Sequence, residues 1–412
     1  MPQYLAPGVY VEEVKSAVQP IAGVSTSTAG FIGHVANDVK MPPQPGKFQV
    51  DASGNLVLDT EGNPVPVPYT LAPAGEPQLV TSWERFKTLF GDFQKKDDDA
   101  TASNKVLAHA VYGFFNNGGS RCWVTRLAED LSASNFPTKV TDALAKFAAI
   151  DEISLVAVPG STDDAVQDAV VSHCKNTSDR FAILDGEVTN TLTPAAIKGG
   201  AKNSDYAALY FPRIQVFDPV TEGPIDVHPS GHIAGIYARV DTERGVHKAP
   251  ANEVVRGALG LAVRLSKADQ DGLNPAGINC IRDLNGSITV WGARTLGGDA
   301  NLEWKYVSTR RLFLFLRESI DEGTQWVVFE PNDQSLWAKI TRNITAFLTN
   351  VWRSGALFGA TPQEAFYVRC DATTNPPEVR DLGQVVTEIG VAVVKPAEFV
   401  IFRISQWAGP GQ

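Results

Sequence analysis

His228 and His232 have a sequence spacing that is seen in protein metal sites. A helix could aim both rings at one ion, but the intervening Pro229 and Gly231 disfavour a helix at this point. No acidic or cysteine partner stands near them in a recognisable pattern. HPSGH therefore predicts a plain surface loop, within a Gly/Pro/His-rich loop from about 218 to 252, and no metal site.

A histidine and a thiol, the chemical pair of a base and a nucleophile, are adjacent at His173 and Cys174. The sequence DDAVQDAVVSHCK predicts a helix, in which neighbouring residues point in different directions. We therefore expect a helix end with a buried thiol. Cys122, Cys280 and Cys370 are equally scattered, and in a chain without a recognisable secretion signal we expect all four cysteines to be reduced and buried.

Motifs for catalysis or phosphate binding do not appear in a convincing context. The glycine-rich stretches FFNNGGSR and RTLGGDAN lack the G-x-x-x-x-G-K-[ST] pattern, and they predict a helix C-cap and a turn. G-x-S-x-G and H-E-x-x-H are also missing. We predict that the protein is not an enzyme and has no catalytic, cofactor-binding or metal-binding residues.

Composition narrows the class of protein further. The chain has 412 residues, 43% of them hydrophobic, and a formal net charge of −10. The acidic balance argues against a nucleic-acid partner. The N-terminus lacks the pattern of a signal peptide, and no apolar run approaches the ~20 residues of a membrane span. We expect a soluble protein made in the cytoplasm, without direct membrane insertion.

Alternating helical and strand patterns from Thr81 onward predict a layered α/β (α+β) fold. Short strands are predicted at 9–14 and 29–35. Between them and the α/β region lies a proline-rich segment at 36–80, where Ser53-Gly54-Asn55 predicts a β-hairpin in a small surface insert. YAALYFPRIQVFDP is predicted as a further strand.

The C-terminal third predicts helices at about 306–322 and 333–356, with WVVFE as a strand between them. Apolar residues on the second helix form one stripe: Leu336, Ile340, Ile344, Phe347 and Val351. Near the opposite side lie Lys339, Arg342 and Arg353, and no acidic residue follows Asp333 on this helix. Two interpretations stay open, a solvated basic face and a docking face for an acidic partner.

Strand-like segments stand at both ends of the chain, GVYVEEV near the start and EFVIFRISQW near the end. A strand at a terminus is often one that pairs with another chain. The sequence LAPGVYVEEV, together with AVYGFFNNGGSRCWVTRL, GINCIRDLNGSITVWGARTL and nearly all of 302–406, resembles the contractile tail sheath proteins. That family covers phage tails, R-type pyocins and phage-like contractile injection systems, and the resemblance spans most of the chain outside the proline-rich insert.

The resemblance implies a multidomain sheath fold with extended N- and C-terminal β-arms. Its implied limits are 1–35 for the N-terminal arm and first strands, 36–80 for the surface insert, 81–248 for an outer α/β domain and 249–412 for an inner domain. The C-terminal arm begins at about 397. The implied inter-subunit strand residues are Val9, Tyr10, Val11, Glu12, Val14, Phe399, Val400, Ile401, Phe402 and Ile404.

The resemblance also implies a function. Such a subunit polymerises with copies of itself in stacked, usually six-fold rings around an inner tube, contacts baseplate and terminator or cap proteins, and contracts to drive the tube forward without a nucleotide or other cofactor. Lys339, Arg342 and Arg353 are the candidates for the tube-facing helix. The particle is implied to assemble in the cytoplasm, as a phage tail or a contractile particle that acts inside or outside the cell.

Two other classes of function stay open from the sequence. A non-contractile lattice protein, such as a capsid or surface-layer subunit, also explains strand-like termini. An α/β hydrolase that uses the middle domain is the other alternative, and it lacks a recognisable motif. The sequence likewise leaves open which kind of particle contains the chain, which sheath paralogue it is, its extended or contracted state and its target cell.

Overall fold

The computed structural model describes residues 20–94 and 104–403. The strands are β1 Ala29–His34, β2 Pro43–Phe48, β3 Pro66–Pro68, β4 Gln78–Val80, β5 Cys122–Leu127, β6 Leu155–Ala157, β7 Phe181–Asp185, β8 Ala207–Phe211, β9 Ile214–Asp218, β10 Gly223–Val227, β11 Glu253–Val254, β12 Ala258–Leu261, β13 Ile278–Leu284, β14 Ser287–Val290, β15 Phe366–Arg369 and β16 Glu388–Val391. The helices are α1 Trp83–Phe90, α2 Lys105–Asn116, α3 Phe136–Phe147, α4 Asp164–Thr177, α5 Pro194–Lys198, α6 Ser230–Arg244, α7 Lys267–Leu273, α8 Val307–Thr324, α9 Gln334–Arg353, α10 Pro362–Ala365 and α11 Pro377–Asp381.

A nine-stranded sheet organises most of the chain, in the order β11-β14-β13-β8-β7-β6-β1-β5-β4. Neighbours from β13 to β5 pair in parallel, whereas β4, β14 and β11 extend the two edges in antiparallel fashion. The mixed α/β fold expected from the sequence is confirmed. YAALYFPRIQVFDP, predicted as one strand, forms two, because β8 ends at Phe211 and β9 begins at Ile214 in a separate sheet with β10 and β12.

Both faces of the sheet are buried, as expected for parallel strands covered by helices. Phe31 and its neighbours on one face pack in a cluster with residues of α1, α2 and α6. Ile32, which points the other way along β1, packs with residues of α3 and α4. The strands therefore read as continuous apolar runs, and AGFIGH and FAILD are buried almost throughout.

The Gly/Pro/His-rich stretch predicted as a loop from about 218 to 252 is instead the strand β10 followed by the buried helix α6. The prediction is wrong for a tertiary reason. Asp185, at the end of β7, accepts two hydrogen bonds from Ser230. The backbone N of Ser230 donates to Oδ1 at 2.9 Å, and the Oγ of Ser230 donates to Oδ2 at 2.7 Å. A carboxylate from a distant strand thus caps the helix N-terminus, where a negative charge is favoured.

Glycine also permits α6 to pack closely on α2. A Cβ at Gly231 would lie 2.3 Å from the carbonyl oxygen of Ala110, and one at Gly235 would lie 2.4 Å from that of Phe114. Both distances are far inside van der Waals contact. The glycines that disfavour a helix in isolation are therefore required by its tertiary position.

The insert contains the predicted hairpin. Val50 bridges Leu56 in antiparallel fashion around Ser53-Gly54-Asn55, and β2 pairs with β3. The turn is closed by Asp51, whose Oδ1 accepts from the backbone N of Ser53 at 2.8 Å and of Asn55 at 2.9 Å. Asp59 closes an equivalent turn eight residues later.

Two compact units make up the chain: unit 1 comprises 1–23 and 318–393, and unit 2 comprises 24–317 and 394–412. The predicted outer and inner domains at 81–248 and 249–412 describe positions in an assembly, and they stay a prediction.

In unit 1, WVVFE was predicted as a strand, and this is wrong. Residues Gln325–Val327 form a short 3-10 helix, and Phe329 adopts a left-handed φ of 67°. Within the described residues this segment pairs with no strand. Its β propensity is not realised, because that propensity reflects packing against neighbouring strands.

Candidate assembly surfaces

The C-terminal segment exposes a run of apolar side chains. Phe399, Val400, Ile401 and Phe402 are exposed by 69%, 69%, 78% and 83%. In an extended segment successive side chains point to opposite faces, so neither face of this segment is covered. The described part of the segment, up to residue 403, forms no strand within this chain. Ile404 and the N-terminal residues Val9, Tyr10, Val11, Glu12 and Val14 lie outside the described residues.

Glu398 fixes the chain immediately before that apolar run. Its carboxylate accepts two hydrogen bonds from Arg294, Nε to Oε1 at 2.7 Å and Nη2 to Oε2 at 2.9 Å. Asn274 Nδ2 donates to Oε1 at 2.8 Å, and the Tyr306 hydroxyl donates to Oε2 at 2.9 Å. Burial acts to raise the pKa of Glu398, but these hydrogen bonds outweigh it and the pKa is lowered. The sequence pattern does not predict this contact, although Glu398 is the only charged residue between Lys395 and Arg403.

A two-stranded ribbon in unit 1 has open edges. β15 and β16 pair in antiparallel fashion from Phe366↔Val391 to Arg369↔Glu388, and no third described strand joins them. β15 lies against α9. The side chain of Tyr367 on β15 is 57% exposed. A two-stranded sheet is only marginally stable in water and gains stability from further strands.

Helix α9 has the two faces that the sequence predicts. Leu336, Ile340, Ile344, Phe347 and Val351 are all buried. Asp333 caps the helix by accepting from the backbone N of Leu336 at 2.8 Å. Arg342 and Arg353 are exposed and Lys339 is half-buried, so the three positive charges are on the side that the apolar stripe leaves free. Their role stays a prediction.

The two histidines of HPSGH differ in burial. His232 is 3% exposed and lies on α6, so its prediction as a surface-loop residue is wrong. Burial lowers the pKa of His232 to about 3. His228 is half-buried in the loop between β10 and α6, and burial lowers its pKa. Neither Nδ1 atom has a hydrogen-bond partner.

The adjacent pair His173 and Cys174 behaves as the sequence predicts. Cys174 is buried on α4, and burial raises the pKa of its thiol well above the usual value, which disfavours the reactive thiolate. Burial, and then the charge of Arg180, lower the pKa of His173 to about 4. All four cysteines are free and buried, as expected.

In the part of the chain that is described, no helix combines the length and apolarity that a bilayer crossing requires.

Comparison with known proteins gives consistent matches along the chain. The family model for the phage tail sheath protein central domain matches residues 136–296, and that for the phage tail sheath C-terminal domain matches 299–406. A prophage major tail sheath protein of Pseudomonas aeruginosa (strain UCBPP-PA14) is 26% identical over 323 residues, which cover 75% of this chain and 76% of the relative.

Solved structures match nearly the whole length. A chain of the anti-feeding prophage baseplate, 6-fold symmetrised, is 28% identical with a TM-score of 0.72, and the match covers 98% of this chain and 99% of that chain. A chain of the PVC sheath complex, an extracellular contractile injection system in its contracted state, is 26% identical with a TM-score of 0.73 and covers 99% of both chains.

Proposed function

This chain belongs to the phage tail sheath protein family, and from that membership we propose that it is a structural subunit of a contractile sheath. In this proposal, copies of the chain polymerise as stacked six-fold rings around an inner tube. The sheath contracts and drives the tube through a target envelope. The role is mechanical, and it uses no nucleotide because the free energy is stored when the particle is assembled.

The observation that supports this best is the uncovered apolar segment Phe399–Phe402. Four consecutive apolar side chains exposed by at least 69% are unfavourable in water. Their β-type sequence needs backbone partners that the described chain does not supply. An extended segment that joins a sheet edge in a neighbouring subunit obtains both, because strand addition gives main-chain hydrogen bonds and side-chain contacts together.

The acceptor in this proposal is the ribbon β15–β16. Its two edges can each accept one strand, and two arms would turn it into a four-stranded sheet. The C-terminal arm, with Phe399, Val400, Ile401, Phe402 and Ile404, supplies one strand. The N-terminal arm, with Val9, Tyr10, Val11, Glu12 and Val14, supplies the other.

The inner tube contacts helix α9 in this proposal. Lys339, Arg342 and Arg353 give the free side of α9 three positive charges and no negative charge. Such a face suits an acidic partner, and it speeds association through electrostatic attraction. We propose the inner tube protein as that partner, with baseplate and terminator or cap proteins at the two ends of the sheath. The particle assembles in the cytoplasm as a phage tail or a contractile injection particle.

Electron microscopy of the purified protein tests the proposal directly. We expect wild-type protein to form hollow, transversely striated tubes in negative stain. A chain truncated after Glu398 keeps the contacts of Glu398 with Arg294, Asn274 and Tyr306 but loses the apolar segment. It should therefore stay folded by circular dichroism and remain dispersed in negative stain. Sheets or closed shells from the wild-type chain would support a non-contractile lattice instead, and striated tubes from the truncated chain would contradict the proposed role of the arm.

A further inference from the structure

Arg294 is a buried cation whose position is fixed by its own surroundings. The residue is 2% exposed. Its backbone N donates to Asn279 Oδ1 at 2.7 Å, and its carbonyl oxygen accepts from Asn279 Nδ2 at 2.8 Å. Its Nη1 donates to the carbonyl oxygen of Asn274 at 3.0 Å and to Asp299 Oδ1 at 3.1 Å. One edge of the guanidinium is therefore satisfied without the C-terminal segment.

The other edge, formed by Nε and Nη2, faces Glu398 in the two-pronged geometry that suits a carboxylate. Asn274 and Tyr306 add one donor to each carboxylate oxygen. All of these residues belong to unit 2. Four donors that converge on two oxygens match the capacity of a single carboxylate.

An incidental surface ion pair does not account for this arrangement. Exposed pairs contribute little because both partners are solvated. Here the Arg294 side chain is 3% exposed and that of Glu398 is 20% exposed. Without Glu398 the buried guanidinium keeps Asp299 on Nη1 but leaves its Nε and Nη2 donors unsatisfied, which is costly.

We propose that Arg294, Asn274 and Tyr306 form a carboxylate-binding site whose ligand is Glu398, and that this site fixes the point at which the C-terminal arm leaves the subunit. Glu398 is a positioning residue. It holds the backbone one residue before Phe399, so the apolar segment starts from a fixed place and direction. The existence of the site follows from these contacts alone, whereas its use in assembly rests on the proposed sheath function.

Proteolysis of the soluble, full-length subunit measures the anchor. A protease must draw several residues around the cleaved bond into its active site, which an anchored Glu398 opposes at the Phe399–Val400 bond. In Glu398→Ala, chymotryptic cleavage after Phe399 should accelerate by about tenfold, since a charge-assisted network is lost. Cleavage after Phe329, which is fully exposed in unit 1, serves as the internal reference. Glu378→Ala, which removes an exposed carboxylate on α11, is the matched control.

Acetate tests the site as a carboxylate receptor. In Glu398→Ala the guanidinium edge is empty, so sodium acetate should raise the Tm of this variant more than sodium chloride at equal ionic strength. The wild-type chain, whose site is filled, should show no such difference. Tyr306→Phe should give intermediate proteolysis, because it removes one of the four donors.

Assembly separates this inference from the proposed function. We expect Glu398→Ala to form tubes only at a higher protein concentration than wild type and Glu378→Ala. Unchanged cleavage after Phe399, or an equal acetate response in wild type and variant, would overturn the anchor even if wild-type tubes form. If wild type forms no tubes while cleavage and acetate respond as expected, the anchor stands and the sheath function is contradicted.

Discussion

Buried histidines make stability depend on pH at the scale of single residues. His109 is 2% exposed, and its Nε2 lies 3.6 Å from Asp218 Oδ1, too far for a good hydrogen bond. Burial lowers the pKa of His109 to about 4, and the charge of Asp218 offsets this only in part. His232 is shifted in the same direction. Both rings are therefore neutral in the folded chain at neutral pH.

We predict that the free energy of unfolding falls as the pH is lowered from about 6.5 to about 4. In that window the unfolded chain binds protons on these histidines and the folded chain does not, so acid favours unfolding. Each histidine contributes on the order of 3 kcal/mol across the window. Urea unfolding at a series of pH values measures this change in the free energy of unfolding. His232→Leu, which lacks one titrating ring, should give a shallower dependence, and an unchanged slope would contradict the prediction.

The charges on α9 give a second prediction at this scale. Reversing two of them, in Lys339→Glu/Arg342→Glu, should weaken co-assembly with the inner tube protein by at least tenfold, because attraction to an acidic face becomes repulsion. Co-sedimentation and particle length in electron micrographs are the measurements. Arg264→Glu/Lys267→Glu reverses two exposed charges elsewhere and should assemble normally. Full-length extended particles from the α9 variant would rule out a role for these charges.

At the scale of elements, the close crossing of α2 and α6 depends on glycines, which have no side chain at the contact. The glycines of α6 lie against backbone atoms of α2, so the two helices approach more closely than larger residues allow. The cost of glycine in a helix is about 1 kcal/mol relative to alanine. Close packing of two buried helices against the sheet offsets that cost.

We predict that Gly231→Ala destabilises the chain by about 2 kcal/mol or more, because the added methyl group forces α6 away from α2. Thermal unfolding followed by circular dichroism measures the change. Gly272→Ala is the matched control, since a Cβ at this helical position on α7 meets no atom within 4 Å. That control should be neutral or slightly stabilising. Equal effects of the two substitutions would show that close packing is not the reason for glycine at Gly231.

At the scale of the whole molecule, the buried core and the segments that we propose for assembly are different parts of the chain. The buried clusters on both faces of the nine-stranded sheet are built from residues 29–314. Phe399, Val400, Ile401 and Phe402, in the described part of the proposed C-terminal arm, contribute nothing to those clusters. The subunit should therefore fold before its C-terminal segment finds a partner.

Deletion of residues 1–14 tests this separation. We predict a folded subunit with a far-ultraviolet circular dichroism spectrum close to that of wild type, because the buried clusters of the described chain are built from residues 29–314. The same protein should not polymerise, since each subunit loses one donated strand. Analytical ultracentrifugation and negative stain report the outcome. Intact sheath tubes from this truncated chain would show that the N-terminal arm is dispensable.

Local sequence determined those elements whose signals lie within their own residues. Ser82 caps α1 by accepting from the backbone N of Arg85 at 3.1 Å, and Gly91 ends the helix with a φ of 84°. The apolar stripe of α9 and the turn at Ser53-Gly54-Asn55 were predictable for the same reason: side-chain periodicity and turn chemistry act over a few residues. The family resemblance likewise rests on contiguous sequence blocks.

Tertiary structure decided the features whose causes lie far away in the chain. Helix α6 begins because Asp185 caps Ser230 across 45 positions, and WVVFE pairs with no strand among the described residues. The anchor at Glu398 requires Arg294, which is 104 positions away. Sequence patterns report the preference of a segment, whereas hydrogen bonds and ion pairs depend on which segments the fold brings together. The sequence therefore predicted a C-terminal strand, which stays a prediction, and the fold decided which residue holds the chain just before it.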